Sequence, residues 1–214
     1  MFIINEGIVF MTTKILYVVL TYLCGSIPFA YIIAKLAAGI DIRTAGSGNP
    51  GATNVFRTVG AGAGSVTFIL DAAKGFLPVF LARIIFDNPS FYYLVAVAAA
   101  AMTGHMFTVF LKFKGGKGVA TGCGVFLALM PLPAAYALIV FALVFLCSGY
   151  VALGSVFAAA SLPISAIISK SYSVEYVVFA FFAAALVIYK HRENIKRLIA
   201  GTEHRFKIFG SGKK

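Results

Sequence analysis

Acidic residues are scarce in this chain. Seven Asp and Glu stand against eighteen Lys and Arg in 214 residues, only 12% of positions are charged, and tryptophan is absent. A soluble domain carries about 25% charged and about 45–50% apolar residues. Here 61% are hydrophobic and the mean hydropathy is +0.95. That composition excludes an ordinary water-soluble globule, and the long apolar runs exclude a disordered chain. Cys24, Cys123 and Cys147 lack metal-ligand spacing, so neither a disulfide scaffold nor a zinc site is expected; all three read as small buried packing residues. H-E-x-x-H and G-x-S-x-G motifs are missing. The five-residue His-to-Asp step used by many thioester-dependent acyltransferases is missing too: Phe110, Lys196 and Phe209 stand five positions after His105, His191 and His204.

What is present is apolar sequence in lengths that fit a bilayer, since a helix needs about 20 mostly apolar residues to cross about 30 Å of hydrocarbon. Seven segments qualify as candidates: Lys14–Ala37, Gly62–Phe86, Phe91–Phe110, Gly118–Met130, Leu132–Tyr150, Ser155–Ser169 and Val174–Tyr189. Pro131 and Pro133 divide the fourth from the fifth, because a single run from Gly118 to Tyr150 is too long for one crossing. The predicted fold is therefore an all-α integral membrane protein with seven transmembrane helices, short interfacial helices and glycine-rich cytoplasmic loops. The positive-inside rule orients it. With the N-terminus outside and the C-terminus cytoplasmic, fourteen of the eighteen Lys and Arg fall inside, Lys14, Arg83 and Lys170 lie near the outer face, and Lys74 lies within a span. This asymmetry accounts for the formal charge of +11 without a nucleic-acid partner. Residues 1–13 read as an N-terminal extension without the basic start of a secretory signal, 14–206 as a single membrane domain, and 207–214 as a basic tail.

The polar sequence gathers on the inner face. The first inner loop contains Gly46-Ser47-Gly48-Asn49-Pro50-Gly51-Ala52-Thr53-Asn54 and then Arg57. It matches G-x-G-x-x-G formally, but no βαβ unit surrounds it, so a dinucleotide is not indicated. Glycines there permit tight turns and bring backbone N–H groups near an anion; Ser47, Asn49, Thr53 and Asn54 add neutral donors, and Arg57 adds a fork suited to phosphate. The second loop, Lys114-Gly115-Gly116-Lys117-Gly118, opens a membrane helix and places free N–H groups and a positive dipole end beside ammonium groups. It is no Walker A loop, because Leu111 and Gly118 occupy the places of the required Gly and Ser/Thr. After the last span, His191 and Asn194 share a helical face, and Ile195, Leu198 and Ile199 form an apolar stripe suited to the interface. Glu203 either pairs with an inner cation or braces the turn. Asp71 and Lys74, three apart inside the second span, are expected to neutralise one another. His105 is expected to line the same cavity, and Ser155 offers it a hydroxyl. Many anion donors and few general bases point to a reactive, phosphate-activated substrate. A transporter would place its site near the midplane with access from both faces. A mere anchor has no need of Asn49, Asn54 and Asn194.

The motifs Gly25-Ser26-Ile27-Pro28, Gly46–Val55 with Arg57, Leu70-Asp71 with Lys74-Gly75, Gly104-His105, Phe113–Thr121 and His191–Ile195 through Arg197-Leu198, Gly201 and Glu203 resemble the acyl-phosphate:glycerol-3-phosphate acyltransferases of bacterial phospholipid synthesis. The likeness runs from about Tyr17 to Phe206. It implies transfer of a fatty acyl group from acyl phosphate to the 1-hydroxyl of sn-glycerol 3-phosphate, giving lysophosphatidic acid and phosphate, the first committed step of phospholipid synthesis. It further implies a multi-pass protein of the bacterial inner membrane with a cytoplasmic-face site, no cofactor and no metal. By motif position, the resemblance makes Ser47, Arg57, Lys117, His191 and Asn194 catalytic. It assigns phosphate binding to Gly46, Ser47, Gly48, Asn49, Thr53, Asn54, Arg57, Gly115, Gly116, Lys117, Gly118 and Ser155, with Glu203 structural. Nothing in the sequence requires an oligomer, and a monomer is expected.

Overall fold

The computed structural model describes residues 2–206, with side chains from Gly7 onward; the basic tail 207–214 lies outside the described residues. Every regular element among the described residues is helical: α1 (Phe2–Ser26), α2 (Phe29–Ala38), α3 (Ala52–Thr58), α4 (Ala61–Ile85), α5 (Phe91–Met106), α6 (Val119–Leu129), α7 (Pro131–Ser148), α8 (Val151–Ser169), α9 (Val174–Lys190) and α10 (Arg192–Ile199). A single 3₁₀ turn, Val109–Leu111, follows α5. The chain divides into two units, Met1–Leu129 and Met130–Lys214.

In the first unit, the expected span Lys14–Ala37 is two helices. The break falls at Ile27-Pro28, where proline lacks an N–H and its ring bars the preceding residue from helical geometry. Most of residues 1–13, read as an extension, form the opening turns of α1. Helices α1 and α5 touch backbone to backbone: a Cβ on Gly25 would collide with the Ala101 carbonyl. The end of α5 is tied to α1 as well, because Tyr22 Oη donates to the Phe107 carbonyl at 2.7 Å and Thr108 Oγ1 to the Ser26 carbonyl at 2.5 Å. Helices α4 and α6 approach as closely, since a Cβ on Gly124 would collide with the Ala72 carbonyl. Small residues at such crossings let membrane helices gain packing contacts that lipid cannot supply.

In the second unit, α7 and α8 form a hairpin around Gly149, whose φ of 78° closes the α7 C-terminus in the left-handed conformation. Helix α9 follows, and α10 leaves it at an angle of 57°. The segment after α10 returns to the hairpin turn, where Phe206 N–H donates to the Gly149 carbonyl at 2.8 Å and Arg205 Nε to the Ser148 carbonyl at 3.0 Å.

Large apolar side chains face outward in both units, among them Leu36 (80% exposed), Ile168 (73%) and Phe182 (71%). Four described stretches are long and apolar enough to cross a membrane, Gly7–Ala38, Phe91–Leu111, Pro131–Ser148 and Val151–Ser169; the bent pair α9–α10 makes five. Helix α4 has the length but carries Asp71, Lys74 and Arg83. Helix α6 has 11 residues and rises about 16 Å, half the hydrocarbon thickness. The expectation of three buried cysteines is corrected: Cys24 and Cys123 are half-buried, and Cys147 is exposed on α7.

Candidate anion-binding site

The first inner loop, between α2 and α3, is built around Asn54. That side chain is 1% exposed. Its Nδ2 donates to the carbonyls of Ile42 (3.1 Å) and Ala45 (2.9 Å), while its Oδ1 accepts from the Ser47 N–H at 3.0 Å. Gly46 has a φ of +58°, and a Cβ there would collide with Asn54 Oδ1. One amide therefore substitutes for regular secondary structure over residues 42–47. Asn54, expected to face a phosphate, holds the loop instead.

The glycine N–H groups are likewise engaged. Gly48 N–H donates to the Ala45 carbonyl (3.0 Å), and Gly51 N–H to the Asn49 carbonyl (2.9 Å). In the second loop, Gly115 and Gly116 donate to the carbonyls of Met106 and His105, each at 3.2 Å. These last two bonds satisfy carbonyls that the end of α5 would otherwise leave unpaired. The expectation of bare glycine amides at an anion is thus corrected for Gly48, Gly51, Gly115 and Gly116. Their backbones shape the loops, which leaves side chains as the candidate anion donors.

Those side chains meet at a cavity of about 530 Å³ lined by Arg43, Ser47, Gly48, Asn49 and Pro50 of the first loop and Leu111, Lys112, Lys114 and Gly115 of the second. Three cations line it: Lys114, which belongs to the second candidate loop, and Arg43 and Lys112, which the sequence reading counted only as positive-inside charge. The signal for Arg43 was its spacing from Asp41. Asp41 accepts from the Arg43 side chain at 2.6 and 2.9 Å, which fixes the guanidinium at the cavity wall. The same bonds pull the Asp41 carboxyl down to about 2 and keep Arg43 firmly protonated. Lys112 and Phe113 both adopt left-handed backbone, with φ of 52° and 61°. Phe113 N–H donates to the Thr108 carbonyl at 2.8 Å, and that bond helps hold the strained corner. Arg57, in the last turn of α3, and Lys117 are half-buried and are not among the lining residues; Thr53 and Gly118 stand outside the lining too. Asp71 and Lys74 pair as expected, at 2.7 Å, both buried.

In the second unit, His191 sits between α9 and α10 with φ −94° and ψ 3°, a sparsely populated conformation often found at active sites. Its Nδ1 lies 2.8 Å from the Val187 carbonyl, which only accepts, so Nδ1 carries a proton and the ring is fixed in direction. Asn194 Nδ2 donates to Glu203 Oε1 at 3.0 Å, and Arg197 Nε donates to Glu203 Oε2 at 2.7 Å. Glu203 thus braces the turn and orients Asn194, joining the two roles the sequence left open. Ser155 is buried and its hydroxyl turns back to the Val151 carbonyl at 2.8 Å. Among the described residues, no three His, Cys, Asp or Glu side chains gather as metal ligands.

A family model described as glycerol-3-phosphate acyltransferase matches residues 15–201. A glycerol-3-phosphate acyltransferase of Endomicrobium trichonymphae is 59% identical over 199 residues, covering 93% of this chain and 98% of its own. That of Geotalea daltonii is 48% identical over 198 residues, covering 92% and 100%. A crystal structure of PlsY (YgiH), an integral membrane glycerol 3-phosphate acyltransferase, in its glycerol 3-phosphate form superposes with a TM-score of 0.85 at 44% identity, covering 91% of this chain and 96% of that one. The lysophosphatidic acid form of the same enzyme gives 0.83 at 43% identity.

Proposed function

The chain belongs to the glycerol-3-phosphate acyltransferase family, and from that premise we propose that its acyl donor is an acyl phosphate and that the reaction is substrate-assisted and independent of metal. The observation that carries this reading is the cavity in which the two glycine-rich loops meet under three cations. An acyl phosphate is a mixed anhydride whose leaving group is already good. The 1-hydroxyl oxygen of glycerol 3-phosphate bonds to the acyl carbon, the carbon–oxygen bond to phosphate breaks, and inorganic phosphate departs with that electron pair. Cations near the phosphates offset the charge growing on the leaving group. Arg57 and Lys117 are assigned this task from their motif positions, with Ser47, Asn49 and Thr53 as neutral donors and Gly46, Gly48, Gly115, Gly116 and Gly118 shaping the loops. Ser155 is assigned to the phosphate pocket.

His191 and Asn194 orient the acceptor so that its hydroxyl approaches the acyl carbon. The Nδ1–H bond to the Val187 carbonyl holds the ring in one direction, which suits positioning. The proton leaves to a phosphate oxygen of the substrate. His191 as general base is the rival, and a His191→Gln enzyme that keeps a substantial fraction of wild-type turnover excludes it. The protein works as a monomer in the bacterial inner membrane, with seven passes, the N-terminus outside and the site on the cytoplasmic face.

The test is purified protein with acyl phosphate and labelled glycerol 3-phosphate, with and without chelator. Lysophosphatidic acid is expected in both, and Arg57→Ala and Lys117→Ala are expected to abolish it. Product that survives both substitutions removes the phosphate-clamp assignment, and product lost to chelator removes metal independence.

A further inference from the structure

Three buried ionisable side chains of the first unit have no part in the chemistry above. Asp71 and Lys74 pair on α4, and Lys74 Nζ also donates to the Ile27 carbonyl at 2.7 Å, a carbonyl freed by the Pro28 break. The third is His105, in the last turn of α5, whose Nδ1 stands 3.6 Å from the same Asp71 carboxylate. The adjoining edge of its ring, Cε1–Nε2, abuts the second loop. A Cβ on Gly116 would collide with His105 Nε2 and would lie 3.0 Å from Cε1 and 3.1 Å from the Pro50 carbonyl. The backbone repeats the arrangement, since the His105 carbonyl accepts the Gly116 N–H at 3.2 Å. The imidazole is therefore wedged between a buried carboxylate and the point where the two loops approach. Pro50 and Gly115 line the cavity directly, and His105 is not among its lining residues.

We infer that His105 is a positioning residue: its ring sets the spacing of the two glycine-rich loops across the anion cavity. The ion pair on α4 fixes one edge of the ring, and the adjoining edge supports Gly116 beside Pro50. A purely packing histidine would be indifferent to which ring atom is kept. A spacer depends on Nε2 and on the absence of a side chain at residue 116. The inference rests on the acyltransferase reading, because turnover is its readout.

Two variants separate the ring edges. His105→Asn keeps a polar group near Asp71 but withdraws the tip from Gly116, while His105→Gln keeps the reach of Nε2. The full chain is purified in detergent, and the melting temperature, kcat and KM for each phosphate substrate are measured. His105→Asn is expected to raise KM for at least one substrate fivefold or more, with kcat changed less than threefold and the melting temperature near wild type. His105→Gln is expected to restore KM. Gly116→Ala alone is expected to be severely impaired. His105→Asn/Gly116→Ala should be at least tenfold more active than the product of the single effects, because the colliding atom is gone. Unchanged KM values in His105→Asn, or multiplicative behaviour of the double variant, overturn the inference. Wild-type protein without acyl transfer removes the underlying reading instead.

Discussion

Asp41 holds Arg43 at the wall of the anion cavity through two side-chain hydrogen bonds, and the consequence is measurable in pH. Its carboxyl lies at about 2 instead of the ordinary 3.8. A depressed carboxyl contributes fully above its ordinary value and loses its effect only as pH falls through the lowered one. The pair should therefore be constant between pH 5 and 9. Asp41→Asn is expected to raise KM for glycerol 3-phosphate about two- to fivefold, by a factor that does not vary across that range; a KM–pH profile of both enzymes checks it. A ratio that drifts above pH 5 contradicts it. At this scale the sequence displayed residue types well and their directions poorly. Asn54 and Ser47 stood out as polar groups in a glycine-rich loop, yet spacing cannot say that the Asn54 amide closes on three backbone groups of its own loop. Arg43 and Lys112 passed as topological charge because a cavity wall is made by two segments far apart in the chain. Glu203 was legible as a partner for a cation or a brace for the turn, and its two oxygens, one on Arg197 and one on Asn194, do both.

Helix pairs, more than single helices, decide where the loops stand. Gly124 of α6 meets the Ala72 carbonyl of α4, and an added methyl would also lie 2.8 Å from the Phe76 nitrogen, so neither backbone can yield without moving a whole helix. Gly124→Ala is expected to destabilise by about 1–3 kcal/mol, seen as a fall of about 3–10 °C in the melting temperature in detergent. Gly62→Ala, with nothing within 4 Å of its added methyl, is the control expected to change little. Hydropathy located the apolar helices because composition survives any local break. It missed the break at Pro28, since the apolar run continues across it. It extended α6 beyond its 11 residues because Gly118 and Met130 look as membrane-compatible as the helix between them. The free N–H groups expected at the second loop were an inference from motif chemistry, and they failed because the carbonyls ending α5 take them first.

For the molecule as a whole, the proposed orientation makes a directional forecast. In spheroplasts, starting from a variant with Cys24, Cys123 and Cys147 replaced, a membrane-impermeant maleimide is expected to label Asn88→Cys and Ser171→Cys directly. Thr44→Cys and Lys196→Cys should label only after permeabilisation. Labelling of Thr44→Cys in intact spheroplasts would invert the topology. The sequence supports this orientation through the asymmetry of its Lys and Arg, a property of the complete chain that no single segment carries. Membership of the acyltransferase family was also legible at this scale, because several long motifs in a fixed order are far more specific than any one of them.

The 57° bend at His191 joins a 17-residue helix to a surface helix, and the imidazole at the joint takes its direction from Val187 one turn earlier. Each residue added to α9 would rotate that imidazole by about 100° and lift it by about 1.5 Å. Adaptation of this rod to thicker or thinner lipid is thus quantised: insertions of three or four residues return the ring to within about 40–60° of its azimuth, and single insertions turn it by about 100°. Among homologues adapted to different membranes, length changes before the joint should come in those steps.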